Sequence, residues 1–124
     1  MKIPDNLQYT TDHEWINIIN GIATIGITDY AQGELGDIIF IEYPEIGNNY
    51  QVGDTIATIE AVKTVADLYS PIEGTVLEVN SSLENAPETI NKDPYNNGWI
   101  VKLNTLAIDK IKLLSPHEYN KLIQ

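Results

Sequence analysis

Cysteine and arginine are both missing from this 124-residue chain, and histidine occurs only twice. Without cysteine the chain can form no disulfide and has no thiolate to act as a nucleophile or metal ligand. The two histidines, His13 and His117, are too few for a His/Cys metal site, and a serine–histidine triad would have to recruit one of them. The chain is therefore poor in catalytic groups, and any chemistry that involves it is expected to use a borrowed cofactor.

Basic charge is also scarce. Seven lysines oppose 18 acidic residues, which gives a net charge of −11. Phosphate contact needs a basic face, so nucleic acid is an unfavourable partner, and anionic membrane surfaces are unfavourable for the same reason. An acidic surface suits a small protein that docks transiently on larger partners, although solubility alone explains it equally well.

Long apolar segments are absent too. The longest aliphatic-aromatic run covers residues 38–41, far fewer than a membrane-spanning helix needs. Residues 1–5 contain no apolar signal core. The expected location is the cytoplasm of a bacterium, with a mitochondrial location only if a transit peptide has been removed. A chain of this length with 43% apolar residues is expected to fold as a single monomeric domain with a modest core.

Turn signals and β-branched runs in the first half predict a β-rich structure. Asn20-Gly21 lies between two apolar runs, so residues 14–27 are expected to form a hairpin. Thr28 and Gly36 are placed to begin and end a short helix. Residues 37–42 hold an unbroken apolar run, which predicts a strand buried on both faces.

The second half adds short helices to further strands. Capping-box spacing over residues 81–84 predicts a helix that Pro87 limits to one or two turns. Residues 91–98 have the composition of a turn, and residues 99–103 that of a strand. A serine cap, a proline at the first helical position and a glutamate at the third start a C-terminal helix at residues 115–118. The pattern is typical of a β sandwich or partly closed barrel.

Lys63 occupies the centre of a segment that has a glycine at nearly the same distance on each side. Gly53 precedes it by ten residues and Gly74 follows it by eleven, with a β-type segment on either side. Folded about its midpoint, this stretch is a hairpin with one lysine at the tip, and an exposed amine on a rigid tip suits an enzyme that must acylate one lysine among seven. Most lysines are simply solvated, and residues 56–69 also fit helical spacing tolerably, so periodicity alone does not place the tip.

The sequence around Lys63 resembles a known attachment frame. The frame consists of Val52-Gly53-Asp54, Glu60-Ala61-Val62-Lys63 and Ser70-Pro71-Ile72-Glu73-Gly74-Thr75-Val76. These stretches resemble the frame of lipoyl domains. Further stretches are similar to the glycine cleavage system H proteins, namely His13-Glu14-Trp15 and residues 23–32, 35–37, 42–44 and 91–99. Ordinary lipoyl domains of the oxoacid dehydrogenases lack His13-Glu14-Trp15 and Asp93-Pro94-Tyr95.

The resemblance implies a mainly β fold, a lipoyl-domain-like barrel-sandwich hybrid with short flanking helices and a C-terminal helix. It implies one lipoyl-carrier domain over residues 1–124, with the lipoyl hairpin at about 52–79 and the C-terminal helix at about 115–123. Lipoate would be joined by an amide to Lys63, which agrees with the lack of cysteine, since the chain must borrow its redox sulfur.

The function implied is that of a non-catalytic carrier in glycine catabolism. The lipoyl-lysine arm would shuttle the aminomethyl group of glycine between glycine decarboxylase, aminomethyltransferase and dihydrolipoamide dehydrogenase. A lipoate-protein ligase or an octanoyltransferase would load the lysine.

Further site residues follow from the same resemblance. Glu14 and Asp67 match the carboxylates thought to hold the aminomethyl arm in a cleft. The alternative is that both are ordinary surface carboxylates at the ends of strands. The context of the attachment turn is Glu60, Ala61, Val62 and Thr64. The chain departs from the common family pattern at three positions, with Asp12 and Ala61 where serine is frequent and Thr64 where alanine is frequent.

Four alternatives stay open at this point. An H-like protein that acts mainly as a lipoate donor in a relay would load the same lysine. A biotin carrier shares the framed hairpin but usually has methionine beside the lysine, where this chain has Val62 and Thr64. A hydrolase could pair Glu60 with Asp67, and a purely structural interaction module would leave Lys63 unmodified.

Overall fold

The computed structural model describes residues 1–106 and 113–124. These residues form nine strands, three α-helices and one 3₁₀ helix. The strands are β1 (Gln8–Tyr9), β2 (Glu14–Ile19), β3 (Ile22–Ile27), β4 (Ile38–Glu42), β5 (Asn49–Tyr50), β6 (Thr55–Ala61), β7 (Val65–Tyr69), β8 (Gly74–Val79) and β9 (Val101–Asn104). The helices are α1 (Asp29–Leu35), the 3₁₀ helix (Ser81–Glu84), α2 (Thr89–Lys92) and α3 (Pro116–Leu122). None of the helices in this part of the chain is long and apolar enough to cross a membrane.

The strands are arranged in two antiparallel sheets. One sheet has six strands in the order β1-β2-β3-β9-β8-β5, and the other has three in the order β4-β6-β7. Buried aliphatic residues of both sheets form the main core, among them Ile25, Ile59, Leu68 and Leu103. The mainly β architecture predicted from the sequence is confirmed.

The first hairpin and the helix that follows it are confirmed. Strands β2 and β3 pair in register around Asn20 and Gly21, whose φ angles of 52° and 77° give the left-handed turn that matches the twist of the strands. The hydroxyl of Thr28 accepts from the backbone N–H of Ala31 and so caps α1, and Gly36 ends the helix at a φ of 77°.

The expectation that residues 37–42 are buried on both faces is wrong. Ile38 and Ile41 of β4 are buried, but Ile39 and Phe40 are 50% and 55% exposed. The strand lies at the edge of the three-stranded sheet, its register is irregular between Ile38 and Phe40, and one face of that sheet is open. Two consecutive apolar side chains therefore reach the surface.

Three further expectations need correction. Residues 81–84 form a 3₁₀ turn whose cap position, Asn80, makes no side-chain capping bond, so the predicted capping box is absent. Residues 91 and 92 belong to α2 rather than to a turn. The strand expected at 99–103 begins later, at Val101, and the carbonyl of Trp99 accepts from the side-chain amide of Asn80.

The C-terminal helix α3 begins as the sequence predicts. Ser115 and Glu118 form a reciprocal capping box around a proline in the first turn. Tyr119 is fully buried and stacks on the ring of Tyr9, with ring centroids 4.7 Å apart. Leu122, three residues further along the helix, is 46% exposed. The helix is thus anchored mainly by Tyr119.

Two stretches that distinguish the chain from ordinary lipoyl domains lie against each other. Trp15 is buried, and its indole N–H donates to the carbonyl of Pro94 at 2.9 Å. The hydroxyl of Tyr95 accepts from the backbone N–H of Asp29 and donates to the carbonyl of Lys2. The 93–95 segment therefore fixes the start of α1 relative to β2.

Replacing Gly26 by alanine is expected to lower the free energy of unfolding by about 1–3 kcal/mol, because the added Cβ would lie 2.6 Å from the indole of Trp15. Thermal melting measures the loss. The matched control is Gly33→Ala in α1, where the Cβ would have no neighbour within 4 Å and alanine is the better helix former. Equal melting temperatures for the two variants would contradict the packing of Trp15 against β3.

Candidate functional site

Lys63 lies at the tip of the hairpin formed by β6 and β7. The two strands pair from Thr55 with Tyr69 to Glu60 with Val65. The N–H of Ala61 donates to the carbonyl of Thr64 at 2.8 Å and closes the bend. The hairpin predicted around this lysine is confirmed, and the helical alternative for residues 56–69 is wrong.

The tip is tied to the neighbouring strand, which limits its freedom. The N–H of Val62 donates to the carbonyl of Asp37 at 3.0 Å, just before β4. Lys63 itself is exposed, and it has no ion-pair partner among the described residues. Of the predicted turn-context residues, Glu60, Val62 and Thr64 are exposed and Ala61 is buried. The site is an exposed primary amine on a hydrogen-bonded bend.

A cleft of about 190 Å³ lies beside this hairpin. One wall is the end of the loop before β2, a second is α1, and a third is formed by β6 and β7. Its lining residues are Asp12, His13, Glu14, Ile27, Tyr30, Ala31, Glu34, Leu35, Ile59, Ala66, Asp67 and Leu68. The floor is therefore apolar, and four carboxyl groups surround it.

Glu14 and Asp67, the two carboxylates that the family resemblance predicts for the cleft, both line it. Asp67 is exposed on β7, opposite Thr58 of β6, and follows Lys63 by four residues. At the rise of an extended chain, the Cα atoms of Lys63 and Asp67 are at most about 14 Å apart. The structure therefore brings the two carboxylates together and puts the lysine near them, outside the cleft lining.

Glu14 is a buried acid, only 2% exposed. One carboxyl oxygen accepts from the backbone N–H of Tyr69 at 2.7 Å, and the other accepts from the hydroxyl of Thr10 at 3.1 Å. Burial raises the pKa of Glu14 from 4.5 to about 8, although both hydrogen bonds act in the opposite direction. The alternative that Glu14 is merely a surface carboxylate is wrong.

Helix α1 contributes a wall of the cleft that was not predicted from the sequence. Tyr30, Ala31, Glu34 and Leu35 face the cleft from this helix. Ala31, Glu34 and Leu35 follow Tyr30 by one, four and five residues. This spacing places all four residues on one face of a helix, and it is the sequence pattern from which the wall could have been predicted. Asp12, one of the departures from the family pattern, supplies a further carboxylate to the cleft lining.

Comparison with known proteins identifies the family. The glycine cleavage H-protein family model matches residues 7–124. The chain belongs to the glycine cleavage H-protein family. The family resemblance predicted from the sequence is thereby confirmed.

Relatives match over nearly their whole lengths. A glycine cleavage system H protein of Rubrobacter xylanophilus is 50% identical, with 99% of this chain and 96% of the relative covered. A protein of the same description from Listeria monocytogenes is 48% identical over 99% of both chains. A crystal structure of a glycine cleavage system H protein from Mycobacterium marinum is 37% identical and superposes with a TM-score of 0.89, covering 95% of this chain and 96% of that one. The lipoyl-domain-like barrel-sandwich fold is thus confirmed.

Proposed function

We propose that this chain is the lipoyl carrier of a glycine cleavage system and that Lys63 is its attachment point. It carries the aminomethyl group of glycine between glycine decarboxylase, aminomethyltransferase and dihydrolipoamide dehydrogenase. The chain itself is non-catalytic, acts in the cytoplasm, and is loaded by a lipoate-protein ligase or an octanoyltransferase. The observation that carries this proposal is the exposed amine of Lys63 on a hydrogen-bonded bend, in a chain of this family.

The residues around the bend fit a lipoyl group. Amide formation needs a primary amine that an enzyme can reach, and Lys63 offers one. Acylation removes the lysine charge, which takes the net charge from −11 to −12 and breaks no ion pair among the described residues. When bound, the lipoyl group supplies the sulfur chemistry that accepts and releases the aminomethyl group, which a chain without cysteine lacks.

The cleft is suited to a small cation with an apolar stem. Ile27, Ile59 and Leu68 give it an apolar floor, and Glu14 and Asp67 lie on its walls. An amine that enters favours the ionised form of Glu14 and lowers its raised pKa, because an opposite charge stabilises the carboxylate. In this proposal the two carboxylates hold the aminomethyl amine, while the apolar floor excludes water.

Intact-mass analysis of the protein from its native host, followed by peptide mapping, tests the attachment. We expect a lipoyl adduct on Lys63 and on no other lysine. The loaded protein, mixed with the three partner enzymes, should then support glycine cleavage. An unmodified Lys63 in the native host would refute the carrier, whereas an adduct without glycine cleavage would favour the lipoate relay.

Replacing Glu14 by alanine is expected to speed loss of the aminomethyl group from the loaded protein by about tenfold, because the amine loses a buried carboxylate partner. Release of ammonia into buffer, measured without partner enzymes, gives the rate. Asp67→Asn should act in the same direction with a smaller effect, since Asp67 is exposed. The control is Glu60→Gln, an exposed carboxylate of the same hairpin that does not line the cleft. If the Glu14→Ala variant loses the aminomethyl group as slowly as the control does, Glu14 does not hold the amine.

A further inference from the structure

One hydroxyl group is hydrogen-bonded to two walls of the cleft. Tyr119 of α3 is fully buried, and its hydroxyl lies 2.7 Å from the hydroxyl of Thr28 and 2.9 Å from Nδ1 of His13. Thr28 caps α1, the helix that forms one wall, and His13 belongs to the loop wall and precedes Glu14. Tyr119 does not line the cleft, yet it contacts both walls.

The rings around this hydroxyl form a continuous contact. The ring of His13 packs against Tyr30 of α1 with centroids 4.7 Å apart, and it meets Tyr119 edge-on at 5.8 Å. His13 holds a φ of 64°, a left-handed conformation that is costly for a residue with a side chain. The fold therefore stabilises this backbone conformation, while the contacts with Tyr30 and Tyr119 position the ring.

The hydroxyl of Tyr119 has one proton to share between two partners. Burial raises the pKa of Tyr119, so the hydroxyl stays neutral. Thr28 already accepts from the N–H of Ala31. All three groups are satisfied when Thr28 donates to Tyr119 and Tyr119 donates to Nδ1 of His13. This arrangement favours the His13 tautomer that carries its proton on Nε2.

We propose that Tyr119 is a positioning residue for cargo retention, and that its hydroxyl holds the α1 wall and the His13 wall at a fixed separation. The C-terminal helix thereby sets the width of the cleft, although it contributes no residue to the lining. The proposal rests on the proposed function, since it assigns Tyr119 a role in holding the aminomethyl amine.

The test compares two hydroxyl deletions within one stacked ring pair. Tyr119→Phe keeps the ring and removes the hydroxyl between the walls. Tyr9→Phe removes the hydroxyl of the partner ring, which is also fully buried; that hydroxyl donates to the carbonyl of Pro4 at 2.6 Å and contacts neither wall of the cleft. Both variants lose a hydroxyl from the same ring stack, and the tautomer of His13, which bonds to Tyr119, separates the positioning role from general destabilisation.

Two measurements are made on both variants. In the loaded protein, water attacks the aminomethyl carbon and the carbon–sulfur bond breaks, which yields formaldehyde, ammonia and the free thiol. We expect this release to be about three- to tenfold faster in Tyr119→Phe and unchanged in Tyr9→Phe. In the unloaded protein, ¹⁵N NMR of His13 should report the Nε2–H tautomer in the wild type and in Tyr9→Phe, and a tautomer mixture in Tyr119→Phe.

The outcomes separate this proposal from the proposed function. Failure of Lys63 to become loaded refutes the carrier, while the tautomer measurement still tests the link from Tyr119 to His13. Equal release rates in the two variants, or an unchanged His13 tautomer in Tyr119→Phe, would overturn the positioning role. If Tyr119→Phe does not fold, His13→Asn breaks the link from the other side, since asparagine tolerates the positive φ. The His13→Asn variant should release the aminomethyl group faster than the wild type, to a degree similar to that expected for Tyr119→Phe. A release rate equal to that of the wild type would overturn the proposal.

Discussion

Arginine in place of Lys63 is expected to abolish lipoylation and glycine cleavage completely. The substitution keeps the positive charge at the exposed bend, but a guanidinium does not deprotonate in proteins and cannot serve as the acyl acceptor. Intact-mass analysis after incubation with the loading enzyme should find no adduct. Glycine cleavage with the three partner enzymes should fall to the rate without carrier.

The control for this substitution is Lys92→Arg. Lys92 is also exposed, and it ends α2 on a different element of the fold. This variant should be loaded and should function as the wild type does. Both variants should melt at the wild-type temperature, because neither side chain is part of the core. An adduct on Lys63→Arg protein would mean that another lysine is the acceptor, and the hairpin tip would lose its assigned role.

The second large effect concerns the pH dependence of stability. Burial raises the pKa of Glu14 from 4.5 to about 8 in the folded state. Below pH 4.5 the carboxyl is protonated in both the folded and the unfolded chain, so it contributes no difference. Between pH 4.5 and 8 the unfolded chain releases this proton and the folded chain retains it. The contribution of Glu14 therefore lowers stability as pH rises through this window.

Replacing Glu14 by glutamine should remove that contribution. The glutamine oxygen can accept from the N–H of Tyr69, and its amide N–H then faces the Thr10 hydroxyl, as the proton of the neutral carboxyl does in the wild type at low pH. Relative to the wild type, Glu14→Gln should be equally stable near pH 4 and more stable by about 3–5 kcal/mol at pH 9. Urea unfolding across this pH range measures the difference.

Asp67→Asn serves as the comparison, because it removes an exposed carboxylate from the same cleft. This variant should follow the wild-type pH dependence. A wild-type pH dependence in Glu14→Gln as well would mean that the buried carboxyl ionises at little cost. The apolar environment described for this side chain would then be incorrect.

Local signals in the sequence predicted the elements that local contacts form. Asn20-Gly21 gave the first hairpin, Thr28 gave the cap of α1, and Ser115 with Glu118 gave the start of α3. In each case the residues that decide the conformation are within a few positions of one another. The bend at Lys63 was different, because its segment also fits helical spacing and the resemblance to lipoyl frames was needed to place the tip.

The features that the sequence did not reveal depend on contacts between distant residues. The exposure of Phe40 follows from the edge position of β4, which no local pattern encodes. Glu14 is buried in the fold, and the backbone N–H that donates to it belongs to Tyr69, 55 positions away. The α1 wall of the cleft is positioned by Tyr95, whose hydroxyl accepts from Asp29 at a separation of 66 residues. The carboxylate pair was therefore predictable by resemblance, but the shape of the cleft was not.

The bend at Lys63 closes through two backbone hydrogen bonds, from Ala61 to Thr64 and from Val62 to Asp37, and neither involves the lysine side chain. In the proposed carrier, folding would therefore not depend on whether Lys63 is loaded, and proteolytic quality control would not recognise an unloaded copy as misfolded. Unloaded copies would persist and compete with loaded copies for the proposed partner enzymes. The rate of the proposed pathway would then depend on the ratio of loading enzyme to chain as well as on the abundance of the chain.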